Sequence, residues 1–140
     1  MTSVDLGMTA APRPPGRTLA RTQFLLAGAY VAAVGVALGR AATFSGHLYL
    51  PRQGDEATGT ADLWPGLWGG VWLALVLVIG MVPLAAAVTA LVAVARLATP
   101  RMRKEPARWR SLLVSTVLAA LVVAAWVSPP ASTLYAWLLD

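Results

Sequence analysis

Three stretches of this 140-residue chain contain no Asp, Glu, Lys, Arg or His: Thr22–Gly39, Leu67–Ala95 and Ser111–Leu139. No other feature restricts the fold so strongly. At 1.5 Å per residue the first covers roughly 27 Å as a helix, close to a bilayer hydrocarbon core of about 30 Å. The second would reach about 43 Å and must tilt, bend or project into the headgroups. The third is interrupted by Ser128-Pro129-Pro130. Neither proline donates a backbone hydrogen bond, and the second restricts the first, so this span is expected to end near Val127. Composition agrees, with 58% hydrophobic and 12% charged residues. A water-soluble domain this small could not bury so much apolar surface.

The expected fold is therefore all-α: a polytopic membrane protein with three transmembrane helices over about 22–39, 67–95 and 111–127. Residues 1–20, with Pro12, Pro14, Pro15 and Gly16 close together, read as a flexible cytoplasmic tail. Residues 40–66 read as an outer loop and residues 96–110 as a basic cytoplasmic loop. Pro83, with Gly80 before it, predicts a kink in the second helix; a re-entrant hairpin there is the alternative. The Ala131–Asp140 segment, with Tyr135 and Trp137, predicts a short interfacial C-terminal helix. Pro65 suits the first turn of the second helix, with Asp62 or Trp64 at its cap. A signal peptide cut after Gly39 is the alternative to a retained first anchor, and Arg40 immediately beyond the cut argues against it.

Charge sets the orientation. Arg13, Arg17, Arg21, Arg96, Arg101, Arg103, Lys104, Arg108 and Arg110 fall on one side, whereas only Arg40 and Arg52 fall on the other. Basic residues favour the cytoplasmic face, which predicts N-in and C-out in a cell inner (plasma) membrane. The same topogenic bias accounts for the high basicity without nucleic acid as a partner. Residue usage resembles that of high-GC bacterial proteins.

The chemistry is constrained by what is missing. With no cysteine, thiolate catalysis and Cys-ligated metals are excluded for this chain. No span carries the titratable groups of proton relays or ion-coupled carriers, nor the histidines that would hold haem between helices. No cofactor and no catalytic residue are expected. The single histidine, His47, shares the outer loop with Asp55, Glu56 and Asp62. An outer-face enzyme or ligand binder would have to be built from these four.

Three patterns suggest interactions. Gly28, Ala32, Gly35 and Gly39 form one small-residue stripe on the first helix, of the kind that lets membrane helices approach closely. It would pack against another component, or against Ala86, Ala90 and Ala93 within the chain. Trp64, Trp68 and Trp72 recur every fourth residue, as an interfacial aromatic belt would. Arg101, Arg103, Lys104, Arg108 and Arg110 form a docking surface for anionic lipid or an acidic partner. Together these predict a non-catalytic membrane subunit whose partners are the bilayer and other membrane proteins or a second copy. A self-associating, holin-like pore is the rival reading.

Overall fold

The computed structural model describes residues 15–52, 54 and 64–140. The chain forms α1 (Pro15–Ser45), α2 (Trp68–Leu97), a single turn α3 (Pro100–Arg103), α4 (Pro106–Trp126) and α5 (Pro129–Leu139). Helices α1, α2 and α4 are long and apolar enough to cross a membrane. The expected all-helical, multi-pass architecture is thus present. Pro15, Pro100, Pro106 and Pro129 each open a helix. The first helical position suits proline, because the amide hydrogen it lacks has no partner there and its φ is already helical.

Helix ends depart from the expected boundaries. Helix α1 begins at Pro15, inside the segment read as tail, and continues past Gly39 to Ser45, inside the segment read as loop. Likewise α3 and the start of α4 occupy the 96–110 segment. Hydropathy marks where a helix meets hydrocarbon, whereas backbone hydrogen bonding continues into the headgroups. Pro65 does not lie within α2. That helix starts at Trp68 after a turn in which Gly66 takes φ +60°, and its N-cap is Leu67 with no side-chain bond. The Asp62 half of the capping expectation lies outside the described residues, and Trp64 does not cap.

The bundle is packed largely through alanine. Helix α1 turns Ala20, Gln23, Ala27, Tyr30, Ala33, Ala37 and Ala41 inward, at steps of three and four. Facing them are Leu75, Ile79, Gly80, Pro83, Ala86 and Ala93 of α2, and Leu112, Ser115, Thr116, Ala119 and Val122 of α4. Each long helix touches the other two. Lipid is as apolar as leucine, so burial alone drives no association; close backbone approach and dispersion must do so, and methyl side chains permit it. Only 28% of each spanning window is buried. Leu25, Val31, Leu77, Met81, Leu91, Val117 and Leu121 all point outward, a surface that water would not tolerate.

The C-terminal segment packs into the bundle. Val127 and Ser128 break the helix, and α5 then continues in the same general direction as α4. Tyr135 of α5 lies against Gly80, and the Trp72 indole N–H donates to the Leu138 carbonyl at 2.7 Å. Advancing along α5 therefore means moving back along α2, from residue 80 toward residue 72. Leu134, Trp137 and Leu138 are buried. At the break the Ser128 hydroxyl donates to the Ala125 carbonyl, the group that Pro129 cannot serve. Ser132 and Thr133 hydroxyls donate to Pro129 and Pro130 carbonyls at 2.9 and 2.8 Å. The Ser128 hydroxyl thus replaces one donor that the prolines lack, while those of Ser132 and Thr133 add bonds to carbonyls in the first turn of α5.

Candidate functional site

The small-residue stripe on α1 faces away from the bundle. Gly28, Ala32, Gly35 and Gly39 are all exposed, and a Cβ built on any of the three glycines meets nothing within 4 Å. An internal contact with Ala86, Ala90 and Ala93 is therefore not made. Ala86 and Ala93 are fully buried and Ala90 partly so, but the α1 residues that line the interior are Ala27, Ala33, Ala37 and Ala41. Two small-residue stripes exist on α1; the alanine stripe closes the bundle and the glycine stripe is left open.

At one end, α1 and α2 share an aromatic cluster around Arg40. Its guanidinium carbon lies 5.5 Å from the ring centre of Phe44, 5.8 Å from Trp64 and 5.1 Å from Trp68. Ring faces are electron-rich, so each attracts the cation, and Arg40 can remain charged beside apolar surroundings. The tryptophans differ in environment. Trp64 is buried, Trp68 is about half exposed, and Trp72 is tied to α5. His47 lies nearby in sequence, exposed, with Nδ1 3.0 Å from the Ser45 carbonyl and its ring 5.4 Å from Tyr49. Asp55, Glu56 and Asp62 lie outside the described residues. Among the described residues no group of three or more His, Cys, Asp or Glu is placed to hold a metal.

The opposite end is basic. Ala20, Ala93 and Leu112 pack together there, which gathers the start of α1, the end of α2 and the start of α4. Arg17, Arg21, Arg96, Arg103, Lys104, Arg108 and Arg110 follow from that placement. The side chain of Arg101 lies outside the described residues. Glu105 pairs with Arg108 at 2.5 Å across one turn, and both are partly exposed; such surface pairs add little stability.

One polar cluster was invisible to a search for titratable groups. Gln23, Ser115 and Thr116 are buried between α1 and α4. Ser115 Oγ lies 2.7 Å from Gln23 Oε1 and 3.1 Å from the Leu112 carbonyl, and Thr116 Oγ1 donates to that same carbonyl at 2.6 Å. A hydroxyl has one proton, so Ser115 serves only one acceptor at a time. Gln23 Nε2, meanwhile, is buried without a partner among the described residues. The alternative amide orientation satisfies more donors: Nε2 then donates to Ser115, which donates to Leu112, and only an acceptor is left over. An interhelical bond of this kind contributes about 0.6 kcal/mol in a bilayer and fixes helix rotation besides. The sequence signal was available: Gln23 is the only amide within the three spans.

Comparison with known proteins finds no matching family model, no similar curated protein and no similar solved structure.

Proposed function

We propose that this chain is a non-catalytic subunit of a bacterial plasma-membrane complex, docking another membrane helix on the Gly28, Ala32, Gly35 and Gly39 stripe of α1. The supporting observation is that this stripe is left outside a bundle already closed by alanines, with open space at each glycine. A groove of glycines lets a second helix backbone come near enough for dispersion and weak hydrogen bonds to act. A second copy of the chain would be read by the same groove. A self-assembled pore is the weaker reading. Exposed positions over 24–39, 71–95 and 113–127 carry no polar side chain, whereas a conducting lumen needs a face that water will wet.

The Gly35→Leu, Gly39→Leu double variant should lose co-purifying membrane proteins after mild detergent extraction, while retaining helicity. A Val31→Leu variant, on the outward face beside the stripe, should keep them. Full recovery of an intact assembly from the double variant would eliminate this reading.

The same proposal includes topology. The basic end is assigned to the cytoplasm, giving N-in and C-out with Arg40 at the outer headgroups. Pro83, which cannot donate to the Ile79 carbonyl, is assigned a bend in α2. Helices α4 and α5 together are assigned the third crossing, in place of a C-terminal segment lying flat at the interface. Because the chain has no cysteine, any introduced thiol is unique. Lys104→Cys should react with an impermeant maleimide only after the cells are permeabilised; labelling in intact cells would reverse the orientation.

A further inference from the structure

The basic end holds a built cleft as well as a diffuse charge. Arg17 and Ala20 of α1, with Ala107, Arg108 and Ser111 of α4, enclose a hollow of about 130 Å³. Two arginines, Arg17 of α1 and Arg108 of α4, line it from different helices. The first turn of α4 borders it, where backbone N–H groups lack partners within the helix and the dipole favours an anion. Ser111 adds an exposed hydroxyl. Glu105 occupies Arg108 Nη1, but a guanidinium has five donors, and the remaining ones stay available. Donor type, charge and helix end all suit one phosphate group.

An apolar hollow lies in line with this cleft, two turns further along α1 and α4. Ala27 and Leu118 line this hollow, about 240 Å³. Ala20 to Ala27 and Ser111 to Leu118 are each seven residues, two helical turns, so both pairs keep to one face. Tyr30 and Ala125 then border both this hollow and a third of about 210 Å³. The groove between α1 and α4 thus holds a basic hollow at its charged end and apolar hollows in line with it along the bundle surface. From Ser111 to Leu121 it covers about 15 Å, half of a hydrocarbon core of about 30 Å.

We propose that this groove holds one anionic phospholipid, with its phosphate between Arg17 and Arg108 and an acyl chain laid along Ala27, Tyr30, Leu118 and Ala125. A free phosphate would use the mouth alone; the aligned apolar groove favours the lipid. The site requires only that the helices span the bilayer, so it stands or falls separately from the proposed subunit role.

The full chain, reconstituted in vesicles of equal phosphatidylglycerol and phosphatidylcholine and re-extracted in mild detergent, should retain phosphatidylglycerol about 25-fold over phosphatidylcholine by mass spectrometry. Each arginine is expected to supply about fivefold. Arg17→Gln alone should lower the enrichment about fivefold, and Arg17→Gln with Arg108→Gln should abolish it. Arg96→Gln, at the end of α2 and outside the cleft, should lower it far less than Arg17→Gln does. Ala125→Phe, which fills the groove, should cut lipid retention with the arginines unchanged. Equal loss from Arg96→Gln would reduce the effect to diffuse surface attraction and overturn the site. So would indifference to Ala125→Phe together with full displacement by inorganic phosphate, which would assign the mouth to a free anion.

Discussion

Gly80→Leu should destabilise the bundle by about 3 kcal/mol, the upper part of the range for overpacking a close contact. A Cβ at position 80 meets the Tyr135 hydroxyl at 2.9 Å and the ring carbon bearing it at 3.4 Å. Even alanine cannot enter unless α5 or the ring moves. Gly80→Ala should therefore lower the unfolding midpoint in detergent, and Tyr135→Phe should restore most of the loss, because the nearest remaining atom is then at 3.4 Å. Leucine extends past the ring and should not be rescued in this way. If Gly80→Leu unfolded at the wild-type midpoint, the packing of α5 on α2 would be disproved. The pair of substitutions forms a double-mutant cycle that isolates this one contact.

A second large effect is expected at Trp137, where two substitutions should differ sharply. Trp137 is buried, and its indole N–H has no partner among the described residues. Trp137→Ala removes most of the packing beneath α5 and should cost about 3–5 kcal/mol. Trp137→Phe keeps much of the ring and removes an unpaired buried donor, whose desolvation penalty is about 1–3 kcal/mol. It should fall within about 1 kcal/mol of wild type or exceed it. Detergent or urea unfolding followed by tryptophan fluorescence would measure both. A phenylalanine variant as unstable as the alanine one would mean that the N–H is in fact bonded and contributes to the fold.

The sequence revealed the three crossings because hydropathy is a property of each residue alone and sums along a helix. Faces were harder to read. Residues adjacent in sequence point about 100° apart around a helix, so Gly28 and Ala27 look to different neighbours, and α1 is rich enough in small residues to offer two stripes. Which one closes the bundle depends on α2 and α4, and that is not written within α1. The C-terminal prolines posed a related difficulty. Ser128-Pro129-Pro130 was read correctly as the end of a helix, but proline at a first helical position also begins the next one, and α5 does begin there. Arg40 could be seen as a flanking charge. Its aromatic surroundings could not, since Trp64 and Trp68 arrive from the far side of a long connection. Gln23 carries no charge and so does not stand out from hydropathy and charge alone, although a buried amide constrains rotation just as well.

The hold on Arg40 has a mechanical corollary. Trp64 and Trp68 tie this cation on α1 to the start of α2, so the two helices cannot easily slide past one another at this end. Arg21 lies 19 residues away, roughly 28 Å down the axis, close to the thickness of a hydrocarbon core of about 30 Å. The turns from Pro15 to Ala20 continue the same helix beyond Arg21 as a stiff stub. Any protein that grips this stub would transmit a twist or tilt directly to the glycine stripe, with no slack linker between them.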